Sequence, residues 1–597
     1  MEVKRSLITA VLLLVASGAF CQAGAEPMPE WGVAMLEVGS SLEARHEQVA
    51  LRDCLELMGI PFLRTADVQE ATRRPLVFIG GILLNTELSA PDREALYSYV
   101  EHGGVLLAAQ VQGNEFFPLF GITGAAASRT NFRVQFTSTQ DPALRYVNRP
   151  EERTISLGDP KFYSETVWST EYATSPGTRV LASYENRTAA FIVNAYGRGL
   201  AYALGLGFKE TTLIPRLARS FEAQRQWINW FEPSGDVFRL LLRGLYEENV
   251  HPFLLVHTVP EGKETGLCLS HDVDARESFP NSLVFAKMEA ALGVHSTFFV
   301  TTKYFLDDTD IGYYTPERVK WIRQVKELGF EVASHSVSHS LRFEAFPIGS
   351  ADVNPTSYVP SHPTLFGEVS VSKQLLDRDL QQQTAGFRSG YLIYPSDLLG
   401  VLETSGYSFD SSVSAQWVLT NYPYFGFRKR SLDSEHSQIV VVPVTLDDSR
   451  GELAIREFLT AETEQEALRI WTDVIRANAE NNAITCLLIH PTNITYKLET
   501  ERRLIEANRG SETWIGDVGT VARFWRGRAQ LRPSLHKENN GKEAIILNLK
   551  QVDLPSGQTL VIEARQGGAV PQVLDAGGQS IPVRMRVTKD RVFLLLP

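Results

Sequence analysis

Cysteine is scarce in this chain. Four residues, Cys21, Cys54, Cys268 and Cys486, are spread over 597 positions. Cys21 falls in an N-terminal stretch expected to be removed, and the widely spaced odd number left does not make a disulfide framework. Cys268 and Cys486 sit inside apolar, strand-like runs, where a thiol behaves as a small buried hydrophobe, so a catalytic cysteine is not expected. An excess of positive charge is missing too: 58 Lys and Arg stand against 70 Asp and Glu, a formal net charge of −12. That balance argues against nucleic-acid binding as the main role. Beyond the N-terminus no apolar run approaches the roughly 20 residues that a membrane-spanning helix needs. No Gly-x-Cys-x-Gly or Gly-x-Ser-x-Gly elbow follows a strand-like run, which disfavours a nucleophile-elbow hydrolase. Internal repeats and low-complexity tracts are also absent.

What is present reads as several modules, since a chain of this length exceeds one core at roughly 100–200 residues per domain. Residues 1–25 have the form of a cleavable export signal. Lys4 and Arg5 precede an apolar stretch from Ile8 to Phe20, and Ala23-Gly24-Ala25 supplies small residues for cleavage. Phe20 is bulky where a lipid-attachment site before Cys21 wants a small residue. An exported protein, periplasmic or extracellular, is therefore expected, with no transmembrane segment.

Residues 26–230 alternate strand and helix signals. Gly32–Leu36, Leu76–Gly81 and Val105–Ala109 read as strands, and Ser41–Met58 and Asp92–His102 as helices ending at glycine. This rhythm predicts parallel pairing in a doubly wound α/β domain. It weakly resembles the glutamine-amidotransferase-like fold, and without an elbow it is read as non-catalytic. Residues 231–264 are read as a linker containing a helix from Asp236 to Asn249, residues 265–527 carry the chemical motifs, and 528–597 hold short strand-like runs between turn signals, expected to form a small β-sandwich.

The motifs lie at the ends of apolar runs. Gly266–Leu269 leads into Ser270-His271-Asp272-Val273-Asp274, and Phe330–Ala333 leads into Ser334-His335-Ser336-Val337-Ser338-His339. Two carboxylates two residues apart at a strand end face the same way and repel unless a cation or proton lies between them. Two histidines four apart would share one side of a helical turn. Two imidazoles, a carboxylate and an open position make a catalytic Zn²⁺ site.

With these motifs in view, residues 265–527 resemble the polysaccharide deacetylases of the NodB-homology type, carbohydrate esterase family four. The resemblance covers nearly half the chain and runs through five motifs in order. It implies a distorted (β/α) barrel, a catalytic base at Asp272, and metal ligation by Asp274, His335 and His339. Phe387-Arg388-Ser389-Gly390-Tyr391 looks like the third motif: Arg388 would pair with Asp272, and the Tyr391 backbone N–H would face the oxyanion. Here Gly390 stands where the family has proline, as Ser340 does after the second motif. Tyr407–Ser412 looks like the fourth motif, and Asp410 is expected to tune the catalytic histidine, with Asp447 and Asp448 as rivals. Leu487-Leu488-Ile489-His490-Pro491 looks like the fifth, making His490 the general acid.

The resemblance implies an exported hydrolase that removes N-acetyl groups from a glycan such as peptidoglycan, an exopolysaccharide or a chitin-like polymer. The expected cofactor is a divalent metal, Zn²⁺ first, with Co²⁺, Fe²⁺ or Ni²⁺ also compatible with such ligands. The expected partner is an acetylated glycan. Alternatives are an O-acetyl carbohydrate esterase and an inactive, glycan-binding homologue. Tyr313, Tyr314, Tyr391, Tyr394, Trp417, Tyr422, Tyr424 and Phe425 are candidates to line a sugar groove. The long segment 345–365 after the second motif reads as a binding or mobile loop.

Overall fold

The computed structural model describes residues 30–597 apart from 138–139, 159, 162–163, 218–233, 307–311, 414–421, 449–462, 511, 538–541 and 566–568. The export signal expected at 1–25 and the groove candidate Trp417 lie outside the described residues. Among the described residues no helix is long and apolar enough to cross a membrane. The architecture is α/β with mixed sheets.

The first sheet begins as a parallel stack. Phe62–Thr65, Val33–Glu37, Leu76–Gly80, Val105–Ala109 and Gly199–Leu204 pair side by side in that order. Alternate residues feed two separate cores: Val33, Met35, Phe78 and Leu107 enter one, and Ala34, Leu36, Val77 and Leu106 the other. Helix Leu42–Met58 covers the first face through Ala50, Leu51, Cys54 and Leu55, whereas Leu96 and Val100 of helix Ala90–Glu101 cover the second. Burial on both faces is what makes such strands near-continuously apolar. The helix signals act as read from the sequence. Ser41 caps the first helix by accepting from the Ala44 N–H, and Gly59 leaves it at φ 70°, a left-handed turn that glycine adopts without strain. Beyond Gly199–Leu204 the sheet turns antiparallel through the hairpin to Ala189–Tyr196.

The segment 231–264 is more than a linker. Helix Ser234–Asn249 buries Val237, Phe238, Leu241, Leu245 and Tyr246 in a core shared with both larger sheets. Strand Leu254–Val256 pairs antiparallel with Thr559–Glu563, far along the chain. Residues 528–597 contribute strands to two small sheets, and Leu254, Val256, Ile545, Leu560, Ile562 and Leu594 share one core between them.

The sheet that carries the motifs runs, in spatial order, Tyr424–Phe427, His436–Val441, Phe409–Asp410, Gly386–Phe387, Glu331–Ser334, Thr297–Val300, Thr265–Val273, Ile484–Ile489 and Leu446–Asp447. Every pairing is parallel except that of the first strand. Parallel strands bring all their C-terminal ends to one rim, the usual place for a ligand in such sheets.

Candidate active site

Strand Thr265–Val273 is buried along its full length, and its period-2 alternation separates two tasks. Cys268, Ser270 and Asp272 point one way. Leu267, Leu269, His271 and Val273 point the other, toward the helical layer. His271 therefore leaves the rim: its Nε2 lies 2.7 Å from Glu289, and its ring stacks on Phe298. Asp272 instead meets Arg388, whose Nη1 donates to Oδ1 at 2.8 Å. The guanidinium is held on its remaining sides by Ser270 Oγ, Ser411 Oγ and the Ser411 carbonyl, and it is fully buried. Burial alone would raise the Asp272 pKa, but Arg388, together with His335 and His490, outweighs it and the carboxyl is held below its ordinary value.

Past the end of the same strand, Asp274 faces two imidazoles. Its Oδ2 is 3.7 Å from His339 Nε2 and 3.8 Å from His490 Nε2. Ligand atoms of Asp274, His335 and His339 all lie within 4.8 Å of one another, close enough for bonds of roughly 2.0–2.2 Å to meet at one ion. His335 Nδ1 bonds the Arg388 carbonyl at 2.8 Å. That contact fixes the tautomer and leaves Nε2 free as a ligand, as metal-binding histidines require. Burial, followed by the charge of neighbouring His335, pushes His339 down to about 3, so it presents a neutral imidazole. The donor set fits a divalent cation.

The two histidines do not share a helical turn. Residues 335–340 form a loop in which Ser336 (φ 63°) and His339 (φ 54°) are left-handed. These costly conformations bring the two rings to 4.9 Å between centroids. Glu368 braces the loop. Its Oε2 accepts from the Val337 and Ser338 N–H groups at 3.0 and 2.7 Å, and its Oε1 accepts from the Tyr358 hydroxyl at 2.5 Å. Glu368 is wholly buried, and Tyr358 belongs to the long segment after the second motif. The sequence held no local signal for this carboxylate, which lies some 30 positions from the groups it holds.

Gly390 packs directly against the loop that carries His335 and His339: a Cβ there would fall 2.7 Å from His339 Cδ2 and 2.9 Å from Cγ. Tyr391 follows at φ 54°, 57% exposed, its ring 4.4 Å from that of His339.

The partner of His490 is Asp448, which corrects the expectation for Asp410. Asp448 Oδ1 lies 2.7 Å from His490 Nδ1, and Oδ2 accepts the His490 backbone N–H at 3.1 Å. Burial opposes charge on the imidazole, but Asp448, together with Asp274 and Asp447, outweighs it and lifts His490 to about 10. Asp410 closes a turn instead, accepting from the Ser412 hydroxyl and N–H, and burial pushes its carboxyl up to about 7. Asp447 joins Asp448 and His490 in a further group of close ligand atoms, as do His271, Glu289 and Glu501 beneath the sheet.

Most of the aromatic groove candidates are core residues. Tyr313, Tyr314, Tyr394, Tyr422 and Tyr424 are buried, Phe425 is half-buried, and Tyr391 alone of the described candidates is exposed. His362 is exposed, and its ring nitrogen Nδ1 lies 3.0 Å from Oγ of its neighbour Ser361.

No family model matches the chain, and no curated protein matches it. Several solved structures are similar to it. One, assigned as a polysaccharide deacetylase from Mycobacterium smegmatis, has 17% identity and TM-score 0.35, covering 46% of this chain and 94% of its own. A second, assigned as a polysaccharide deacetylase from Pseudomonas aeruginosa PAO1, has 14% identity and TM-score 0.33, covering 44% and 91%. A third is a CE4 family pseudoenzyme from Bacillus anthracis, with 13% identity and TM-score 0.26, covering 44% and 66%.

Proposed function

We propose that the chain is an exported, metal-dependent deacetylase that hydrolyses N-acetyl groups of a polysaccharide. The observation that carries this reading is the meeting on one rim of three pairings: Asp272 with Arg388, Asp274 with His335 and His339, and His490 with Asp448. A divalent ion held by Asp274, His335 and His339 would activate water and polarise the acetyl carbonyl. Zn²⁺ is the first choice, and Co²⁺, Fe²⁺ and Ni²⁺ suit the same donors.

Asp272, kept ionised by Arg388, takes the proton of the attacking water. The Tyr391 backbone N–H faces the oxygen on which charge develops, and preorganised donors of this kind supply a large share of catalysis in acyl transfer. His490, charged and oriented by Asp448, delivers a proton to the departing nitrogen. Acetate and a free amino sugar leave. An amine is a poor leaving group until protonated, so a histidine oriented as proton donor by Asp448 at 2.7 Å suits an amide. The complete set of groups also speaks against an inactive, glycan-binding homologue.

Acetate release from a panel of N-acetylated and O-acetylated glycans, with and without chelator, tests the reading. Chelator-sensitive release from the N-acetylated members is the expected result. Release from O-acetyl esters alone would favour the esterase, and no release from any member would favour the binding homologue.

A further inference from the structure

Helix Ile494–Asn508 begins four residues after His490 and turns a charged stripe inward: Lys497 and Glu501, one turn apart, are both buried. The Lys497 ammonium, with its side chain fully excluded from solvent, donates to Asp448 Oδ2 at 2.6 Å, to the His490 carbonyl at 3.1 Å and to Thr492 Oγ1 at 3.2 Å. Taking a lysine out of water costs several kcal/mol, and replacing a buried ion pair with apolar side chains is often neutral or stabilising. Stability alone therefore gives little reason for the pair.

The contacts have a definite logic. Asp448 uses Oδ1 for the His490 ring, and Oδ2 for both the His490 N–H and Lys497. Lys497 in turn holds the His490 carbonyl. One ammonium thus grips the main chain of His490 and the carboxylate that orients its ring, fixing the two relative to each other and directing Nε2 toward Asp274, 3.8 Å away. We infer that Lys497 is a positioning residue for the proton donor, acting through Asp448 to complete a His490–Asp448–Lys497 relay of contacts. The inference rests on the reading of His490 given above.

The test is a double-mutant cycle in the full chain with Lys497→Met, Asp448→Asn and both together, measuring kcat, KM and bound metal on an N-acetylated oligosaccharide. Lys497→Met is expected to lower kcat roughly 10–100-fold, the range typical of groups that orient a reacting side chain, with KM and metal content within about twofold of wild type. In the Asp448→Asn background the same change is expected to cost several-fold less than in wild type, because the hold of the lysine on the His490 ring runs through that carboxylate and only its bond to the His490 carbonyl remains. Lys497→Gln, which keeps a donor without the charge, replaces Lys497→Met should the latter not fold; its kcat must also fall at unchanged KM. A wild-type kcat in the lysine variant, or equal losses in both backgrounds, overturns the inference. If wild-type protein releases no acetate at all, the functional reading fails instead. If Asp272→Asn abolishes release while the lysine variants do not alter it, only the present inference fails.

Discussion

Asp448 Oδ1 and His490 Nδ1 lie 2.7 Å apart, and Asp410 hydrogen-bonds into a serine turn at the end of its own strand. Asp448→Asn should therefore lower kcat by roughly 100-fold or more, the scale of a lost general acid–base contribution, whereas Asp410→Asn should leave kcat within a few-fold of wild type. Steady-state kinetics on the two variants checks this, and a reversal of their order would restore Asp410 as the partner.

Sheet order explains why the sequence left this choice open. Strand Leu446–Asp447 lies beside Ile484–Ile489, which ends at His490, whereas Phe409–Asp410 lies between Gly386–Phe387 and His436–Val441. Both aspartates follow short apolar runs, and neither run states which neighbour its strand will take. The aspartate pair and the histidine pair stood out because each follows a strand-like run, and a parallel sheet gathers the C-terminal ends of such strands at one rim.

Glu368 holds the backbone between His335 and His339. Glu368→Gln keeps the shape but weakens a charge-assisted pair of bonds, so it should weaken metal binding about 10–100-fold. Tyr358→Phe, which removes only the outer hydroxyl, should cost less. Chelator competition on the purified chain measures both, and unchanged affinity in Glu368→Gln would show that the loop holds its shape unaided.

Gly390 has no room for a side chain because the His339 ring occupies the space. Gly390→Ala should displace that ligand, reducing bound metal per chain, with a stability loss of about 1–3 kcal/mol as for other overpacked sites. Metal analysis and thermal denaturation together check this. Full metal occupancy in the variant would contradict the contact.

Asp410 carries a pH signature of its own. Burial raises its carboxyl from the ordinary value of 3.8 to about 7, so between those values the folded chain binds a proton that the unfolded chain has lost. Stability must therefore fall as pH rises through this window, with a slope of at most about 1.4 kcal/mol per pH unit. Asp410→Asn removes this contribution, so the difference in unfolding free energy between wild type and variant should decline from pH 4 to pH 7 and then level off. A difference that stays flat across that range would contradict the assignment.

The parts of the site the sequence did not disclose are those made by distant side chains. Lys497 had a partial signal, since it falls with Glu501, Leu504 and Ile505 on the buried stripe of its helix, and a lysine on an apolar face calls for a partner. Glu368 had none. The four-residue spacing of His335 and His339 predicts a shared helical turn, but that spacing has more than one geometry, and two left-handed residues replace the turn. Most of the aromatic residues near the motifs proved to be packing, as large apolar side chains usually are. The segment 231–264 looked like a connector because its helix, with Asp236, Arg239, Arg243 and Glu247 all buried, carries charges that pair internally and do not mark a solvent face.

The central claim is that Asp272 is a base distinct from the metal ligands. Its most direct test is acetate release from an N-acetylated oligosaccharide by wild type and by Asp272→Asn, with bound metal measured in both. The account predicts chelator-sensitive release by wild type, a loss of at least about 100-fold in the variant, and equal metal content in the two. Equal release from wild type and variant would contradict it.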